Sequence, residues 1–260
     1  NSDVNLKFLS GSAIIAQGTE MDSIYFAPSD TSISSSTSPI SMDLGVIGTT
    51  LSSSADYSAG SVFNYCVFTG FKFASEHIFK LNVDTLLVNN SRFSDNSTDG
   101  AGSAFYEETA VPGTYLIIKN STLNNNSASF GGVISGFRNL QISHSNILNN
   151  SATNNGGFLN LTSVPTWEYG SVQINYSNFI GNTASSGGSL YINGHSNRHQ
   201  NTTINNCDFI SNEANTGAVL FLSQSDFINS GVYSGVSVSS CLIWDNYASE
   251  GGTIILGNGY

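Results

Sequence analysis

The chain has 260 residues, 39% of them hydrophobic and 11% aromatic, enough to bury a substantial core as one elongated domain or two compact ones. Only 10% are charged and the net charge is −11, with seven Lys plus Arg scattered singly, which excludes the basic stripe of a nucleic-acid binder and disfavours a bare anionic membrane. No apolar run approaches the ~20 residues of a membrane span, and "NSDVNLKFLS" lacks the regions of a signal peptide, so the chain as written reads as mature or as a fragment.

The first 60 residues are irregular. "GSAIIA" at Gly11 to Ala16 looks like the closing half of a repeat, and "SDTSISSSTSPIS" at 29–41 reads as a flexible Ser/Thr-rich loop and a candidate O-glycan site. A partial copy, "SVFNYCVF", ends on Phe68. Six fuller copies then follow, anchored on Phe93, Leu123, Ile147, Phe179, Phe209 and Ile243, with spacings of 24 to 34 residues. That period marks a solenoid whose units are stable only when stacked. Residues 61–256 carry the clear repeats, and the whole chain, 1–260, reads as a single domain.

Aligned on the anchor, the copies agree position by position. Five residues before it stands a β-branched residue (Val88, Ile118, Ile142, Ile174, Ile204, Val238), and two before it a small one (Ser91, Ser121, Ser145, Ser177, Cys207, Cys241). Three after it is always Asn: Asn96, Asn126, Asn150, Asn182, Asn212 and Asn246. Ala and a Gly pair such as Gly187-Gly188 follow, and an aliphatic strand closes most copies.

Side chains alternate faces along a strand, so positions −7 and −5 face one way, as do −2 and 0. The change of parity between −5 and −2 requires a corner, a second corner falls between the anchor and the Asn, and the Gly pair permits a third. Three short strands per turn describe a parallel β-helix of about 8–9 coils, stacked ~4.8 Å apart. A buried corner leaves backbone groups unpaired. An Asn amide, both donor and acceptor, can bond its own turn and the Asn of the next coil, which predicts an internal Asn ladder.

The paired "FSDN", "FIGN" and "FISN" with "GGVI", "GGFL", "GGSL", "GAVL" and "GGTI" resemble the repeat of the chlamydial polymorphic outer membrane proteins, with Leu123, Ile147 and Ile243 replacing its Phe. The resemblance covers about residues 61 to 256. It implies a right-handed β-helical passenger displayed at a cell surface and used in adhesion.

Catalytic chemistry is sparse. Acidic-polysaccharide cleavage needs clustered carboxylates joined by Arg or Lys; here Asp84 is isolated, Glu107 and Glu108 are loop neighbours, and Asp208 and Asp245 belong to different coils. The His195 and His199 pair has metal-ligand spacing only for a helix, and this is a Gly/Asn-rich connector. No catalytic residue, metal or cofactor is assigned. Cys207 and Cys241 occupy one slot in successive coils; a stack of buried thiols is favoured, with a disulfide as the alternative. Cys66 shares the slot about 24 Å away and cannot join them.

Eight Asn-x-Ser/Thr sequons occur. Asn96 should face inward and be unmodified; Asn160 and Asn201 are read as loop acceptors, followed by Asn125, Asn149, Asn89, Asn120 and Asn175. Leu148, Ile180, Ile210 and Trp244, one slot after their anchors, predict an outer apolar stripe that suits an interface. Trp167, Tyr169, Phe227 and Tyr233, in two long connectors, predict an aromatic edge facing a ligand or partner. The ends carry no charged cap, consistent with a piece of a longer protein or with head-to-tail stacking.

The reading is a non-enzymatic, extracellular or cell-surface β-helix acting as stalk, filament subunit or adhesin, glycosylated, with itself or other surface proteins and glycans as partners. It binds no nucleic acid and inserts into no membrane. The alternative is a polysaccharide-binding or polysaccharide-cleaving β-helix.

Overall fold

The computed structural model describes residues 14–28, 42–45, 60–83, 85–107, 114–137, 139–161, 170–195, 200–225 and 235–258. Within them the chain winds through eight coils, and the strands stack into four parallel sheets, here a to d in chain order within a coil. One coil shows the plan: Gly170–Asn175 in sheet a, Asn178–Ile180 in b, Thr183–Ser186 in c and Leu190–His195 in d. Sheets a, b and d hold eight strands each and sheet c seven. Coils pair in register, as in Ile147 with Phe179 and Phe179 with Phe209. Seven steps of ~4.8 Å make a stack of roughly 34 Å. No helix among the described residues is long and apolar enough to cross a membrane.

The parallel β-helix is therefore as the repeat predicted, but seven of the eight coils have four strands rather than three among the described residues. The additional strand is sheet c, built from segments such as Thr183–Ser186 and Ser127–Phe130. Apart from Thr183 and Phe130 these are Ser and Ala, which have little strand preference of their own. They pair because the corners on either side hold successive coils in register. A second difference is at the start: Ile15–Gln17 pairs with Ser61–Asn64 in sheet a, so it opens a coil instead of closing one.

The corners lie where parity required them. At three residues before each anchor the backbone is left-handed: Tyr65, Asn90, Asn120, His144, Tyr176, Asn206 and Ser240 have φ between 48° and 53°. Two residues after the anchor it is left-handed again, at Gly70, Asp95, Asn125, Asn149, Gly181, Ser211 and Asp245. Asn and Asp tolerate this conformation because their short polar side chains bond locally, which accounts for their abundance at these slots.

Between corners the inward residues fill the core. Val172, Ile174 and Phe179 are all fully buried, and so are their counterparts in most coils. The anchors form a column along the axis: Phe26, Phe68 and Phe93 stack at 4.5 and 4.7 Å, and Phe179 on Phe209 at 4.7 Å. Such offset aromatic contacts add to the area they bury.

Candidate functional site: two internal ladders and an outer apolar stripe

The recurrent Asn residues form an unbroken ladder. The Asn96 Nδ2 donates to Asn126 Oδ1 at 2.9 Å, and the same bond repeats from Asn126 to Asn150, Asn150 to Asn182 and Asn182 to Asn212 at 3.0 Å, then to Asn246 at 2.9 Å. Each Nδ2 also donates to the anchor carbonyl of the preceding coil, as Asn182 does to Ile147 O at 3.0 Å. Each Oδ1 from Asn126 onward accepts, in addition, the backbone N–H of the preceding Asn. Asn96, Asn126, Asn150, Asn182 and Asn212 have no solvent exposure. Every donor and acceptor of these amides is thus used inside the coil, as burial demands. Before Asn96 the slot is Phe71, whose N–H donates to Asn96 Oδ1 at 3.1 Å, so the ladder begins there.

A second ladder runs beside it. The backbone N–H of Cys66 donates to Ser91 Oγ, that of Ser91 to Ser121, Ser121 to Ser145 and Ser145 to Ser177, at 3.0 to 3.3 Å. Each hydroxyl donates in turn to the carbonyl two residues back, for example Ser121 Oγ to Lys119 O at 2.6 Å. The sequence marked this slot only as small. Its actual signal was the hydroxyl in four of six copies, positioned immediately after a left-handed residue whose turn leaves an N–H unpaired.

Cysteine continues the series, with Cys207 Sγ donating to Asn205 O and Cys241 Sγ to Ser239 O, both at 3.2 Å. All three cysteines are free thiols, two of them buried. Burial pushes the thiols of Cys66 and Cys207 up to about 11, from an ordinary value of 9.0. A proton bound more tightly in the folded state stabilises it fully below the unfolded value and ceases to as pH rises past the folded one. Stability should therefore fall between pH 9 and about 11 from these two groups. Urea unfolding across that range checks it, and the Cys66→Ser/Cys207→Ser variant, which restores the Ser pattern of the slot, should lack this component of the fall.

The Gly pair does two different tasks. Gly131, Gly156 and Gly187 are left-handed, with φ of 59° to 65°. Their partners Gly132, Gly157 and Gly188 have no space for a side chain: a Cβ there would lie 2.1 to 2.3 Å from a carbonyl oxygen of the next coil.

On the outside, Leu148, Ile180, Ile210 and Trp244 pair in register along sheet b, forming the predicted stripe. The first three are half-buried and Trp244 is 66% exposed. Trp167, Tyr169, Phe227 and Tyr233, and His199, lie outside the described residues; His195 ends a strand of sheet d.

The sequons fall into register with the repeat, which accounts for several of them. In those at Asn89 and Asn175 the required Ser is ladder Ser91 or Ser177, and in those at Asn125 and Asn149 the middle residue is ladder Asn126 or Asn150. Two expectations need correction. Asn160 is not in a loop but in strand Leu159–Leu161, 1% exposed, with Nδ2 donating to Ser135 Oγ at 3.3 Å, because the chain enters sheet d directly after its Gly pair. Asn201 is also in a strand, Gln200–Asn205, where the β-prone Thr202 and Thr203 pair with Val172 and Gln173, although Asn201 itself remains exposed. Secreted through a compartment that reads sequons, the folded protein should carry glycans among Asn120, Asn125, Asn149 and Asn201 and none at Asn96 or Asn160, as peptide mapping would show.

One cleft escaped sequence reading. Ser75, Glu76, His77, Lys80, Ala101 and Tyr106 line a space of about 240 Å³. His77 is 6% exposed, bonded through Nδ1 to Gly102 O at 2.9 Å and stacked on Tyr106 at 4.3 Å. These residues come from a corner and a sheet d strand of two coils, too far apart in sequence to suggest a group. Among the described residues no cluster of three or more His, Cys, Asp or Glu is placed to hold a metal ion.

In comparisons with known proteins, no family model matches this chain, and neither a curated protein nor a solved structure matches it.

Proposed function

We propose that the protein is a non-enzymatic scaffold, extracellular or displayed on a cell surface, serving as a stalk, filament subunit or adhesive rod. The observation that carries this reading is the pair of continuous ladders. Five successive Asn–Asn bonds and four successive bonds to a Ser hydroxyl commit the most regular polar side chains to holding coils together. Residues so committed make a stiff rod whose outer face is free to vary. The likeness of its repeat to that of surface-displayed adhesive passengers points the same way.

Its partners on this reading are other surface proteins and glycans, or further copies stacked head to tail. The test has two parts. Antibody against the folded chain should label intact, unpermeabilised source cells, and electron micrographs of the purified chain should show short rods or filaments of them. Release of reducing sugar from a panel of acidic and neutral polysaccharides would overturn the scaffold reading in favour of an enzyme.

A further inference from the structure

The outer face of sheet b changes character along the stack. Next to the anchors, outward positions are polar in the middle of the stack, with Arg92, Thr122 and Asn124, and become Leu242 and Trp244 on either side of Ile243. Around the following corner stands Tyr247. Leu242, Trp244 and Tyr247 are 50%, 66% and 61% exposed. In-register neighbours in the coil before are Asp208 beside Leu242, Ile210 beside Trp244 and Glu213 beside Tyr247. Asp245, between Trp244 and the ladder Asn246, accepts a hydrogen bond from Ser211 Oγ at 2.9 Å. The result is an apolar and aromatic centre bounded by three carboxylates. Among the described residues from Gly170 to Asn258 there is no Lys or Arg to neutralise them.

We infer that this patch is a docking site for a protein segment carrying Lys or Arg between apolar residues. Exposed Trp and Tyr faces attract cations, and the flanking carboxylates strengthen that attraction. The apolar residues of such a segment would cover Leu242 and Ile210, giving the aromatic centre and charged rim that concentrate binding energy at interfaces. A second copy fits poorly: a two-fold pairing of this patch would oppose Asp208, Glu213 and Asp245 with their own duplicates and supply no cation. An anionic membrane is repelled by the same charges. The inference needs only the outer faces of sheets b and c at this corner, so it stands or falls independently of surface display.

The test uses the whole chain and a fluorescent octapeptide of alternating leucine and arginine, with affinity read by polarisation. Trp244→Ser, and separately Asp208→Asn/Glu213→Gln/Asp245→Asn, should each weaken binding about tenfold while circular dichroism stays unchanged, since all four side chains point outward. Raising NaCl to about 0.5 M should weaken the wild-type complex similarly, and a leucine–glutamine octapeptide should bind at least about tenfold less tightly. Failure of the leucine–arginine peptide to bind, equal binding of the glutamine peptide, or an affinity indifferent to Trp244→Ser would each overturn the inference. Dimerisation of the wild-type chain in sedimentation, lost in Trp244→Ser, would assign the patch to a second copy and overturn it as well.

Discussion

Replacing Asn182 by Leu should destabilise the protein by about 4 kcal/mol or more, several times the effect of an ordinary surface change. The two side chains are similar in size, so the loss comes from hydrogen bonds and not from a cavity. Asn150 loses the acceptor of both its Nδ2 and its backbone N–H, and Ile147 O loses its donor. Asn212 Oδ1 keeps the backbone N–H of residue 182 but loses the side-chain donor. Each buried group so stranded costs about 1–3 kcal/mol. Asn154, exposed in sheet c, is the control: Asn154→Ala should stay within about 0.5 kcal/mol. Urea denaturation of the two variants measures both. An Asn182→Leu protein as stable as wild type would mean that the ladder contributes little and that the anchor column alone holds the coils.

Substituting Gly157 by Ala should cost about 3 kcal/mol or more and disturb the following coil, because a single methyl group is placed where backbone already stands. The new Cβ would lie 2.1 Å from Gly188 O and 2.6 Å from Thr183 O, distances that no rotamer can relieve. Neither coil can shift without breaking the register of sheets c and d. Gly181 is a contrasting case. It is left-handed at φ 67°, but the obstruction nearest to its missing side chain is the Asn149 side chain, which can turn aside. Other coils place Asp95, Asn125, Asn149, Ser211 and Asp245 at the same slot. Gly181→Asn should therefore fold normally and change stability by less than about 1 kcal/mol. Thermal melts of the two variants separate glycine needed for space from glycine that only eases a turn.

The features legible in the sequence were those that recur in register. Parity between positions −5 and −2 located the corner now seen at Tyr176 and its counterparts, and the invariant Asn at +3 predicted the ladder with all six of its members. Sheet c was not legible, because Thr183–Ser186 and its equivalents carry neither apolar alternation nor β-branched runs; their pairing is imposed by the coils above and below. The Ser ladder was half legible, since smallness at that slot was visible but the roles of hydroxyl and N–H depend on the left-handed residue before it. Asn160 was misjudged because a sequon between two leucines reads as polar, whereas in the structure all three residues of Leu159–Leu161 are buried. The cleft at His77 and Tyr106 depends on contact between coils at a corner, and no spacing in the sequence signals that.

The most direct test of this architecture is proton exchange at the Asn side chains, followed by nuclear magnetic resonance in deuterated water. Carboxamide protons of Asn126, Asn150, Asn182 and Asn212, each buried and doubly bonded, should persist long after those of exposed Asn154 and Asn146 have gone. Exchange of the ladder amides as fast as the exposed ones would contradict the stacked coil and its internal ladder.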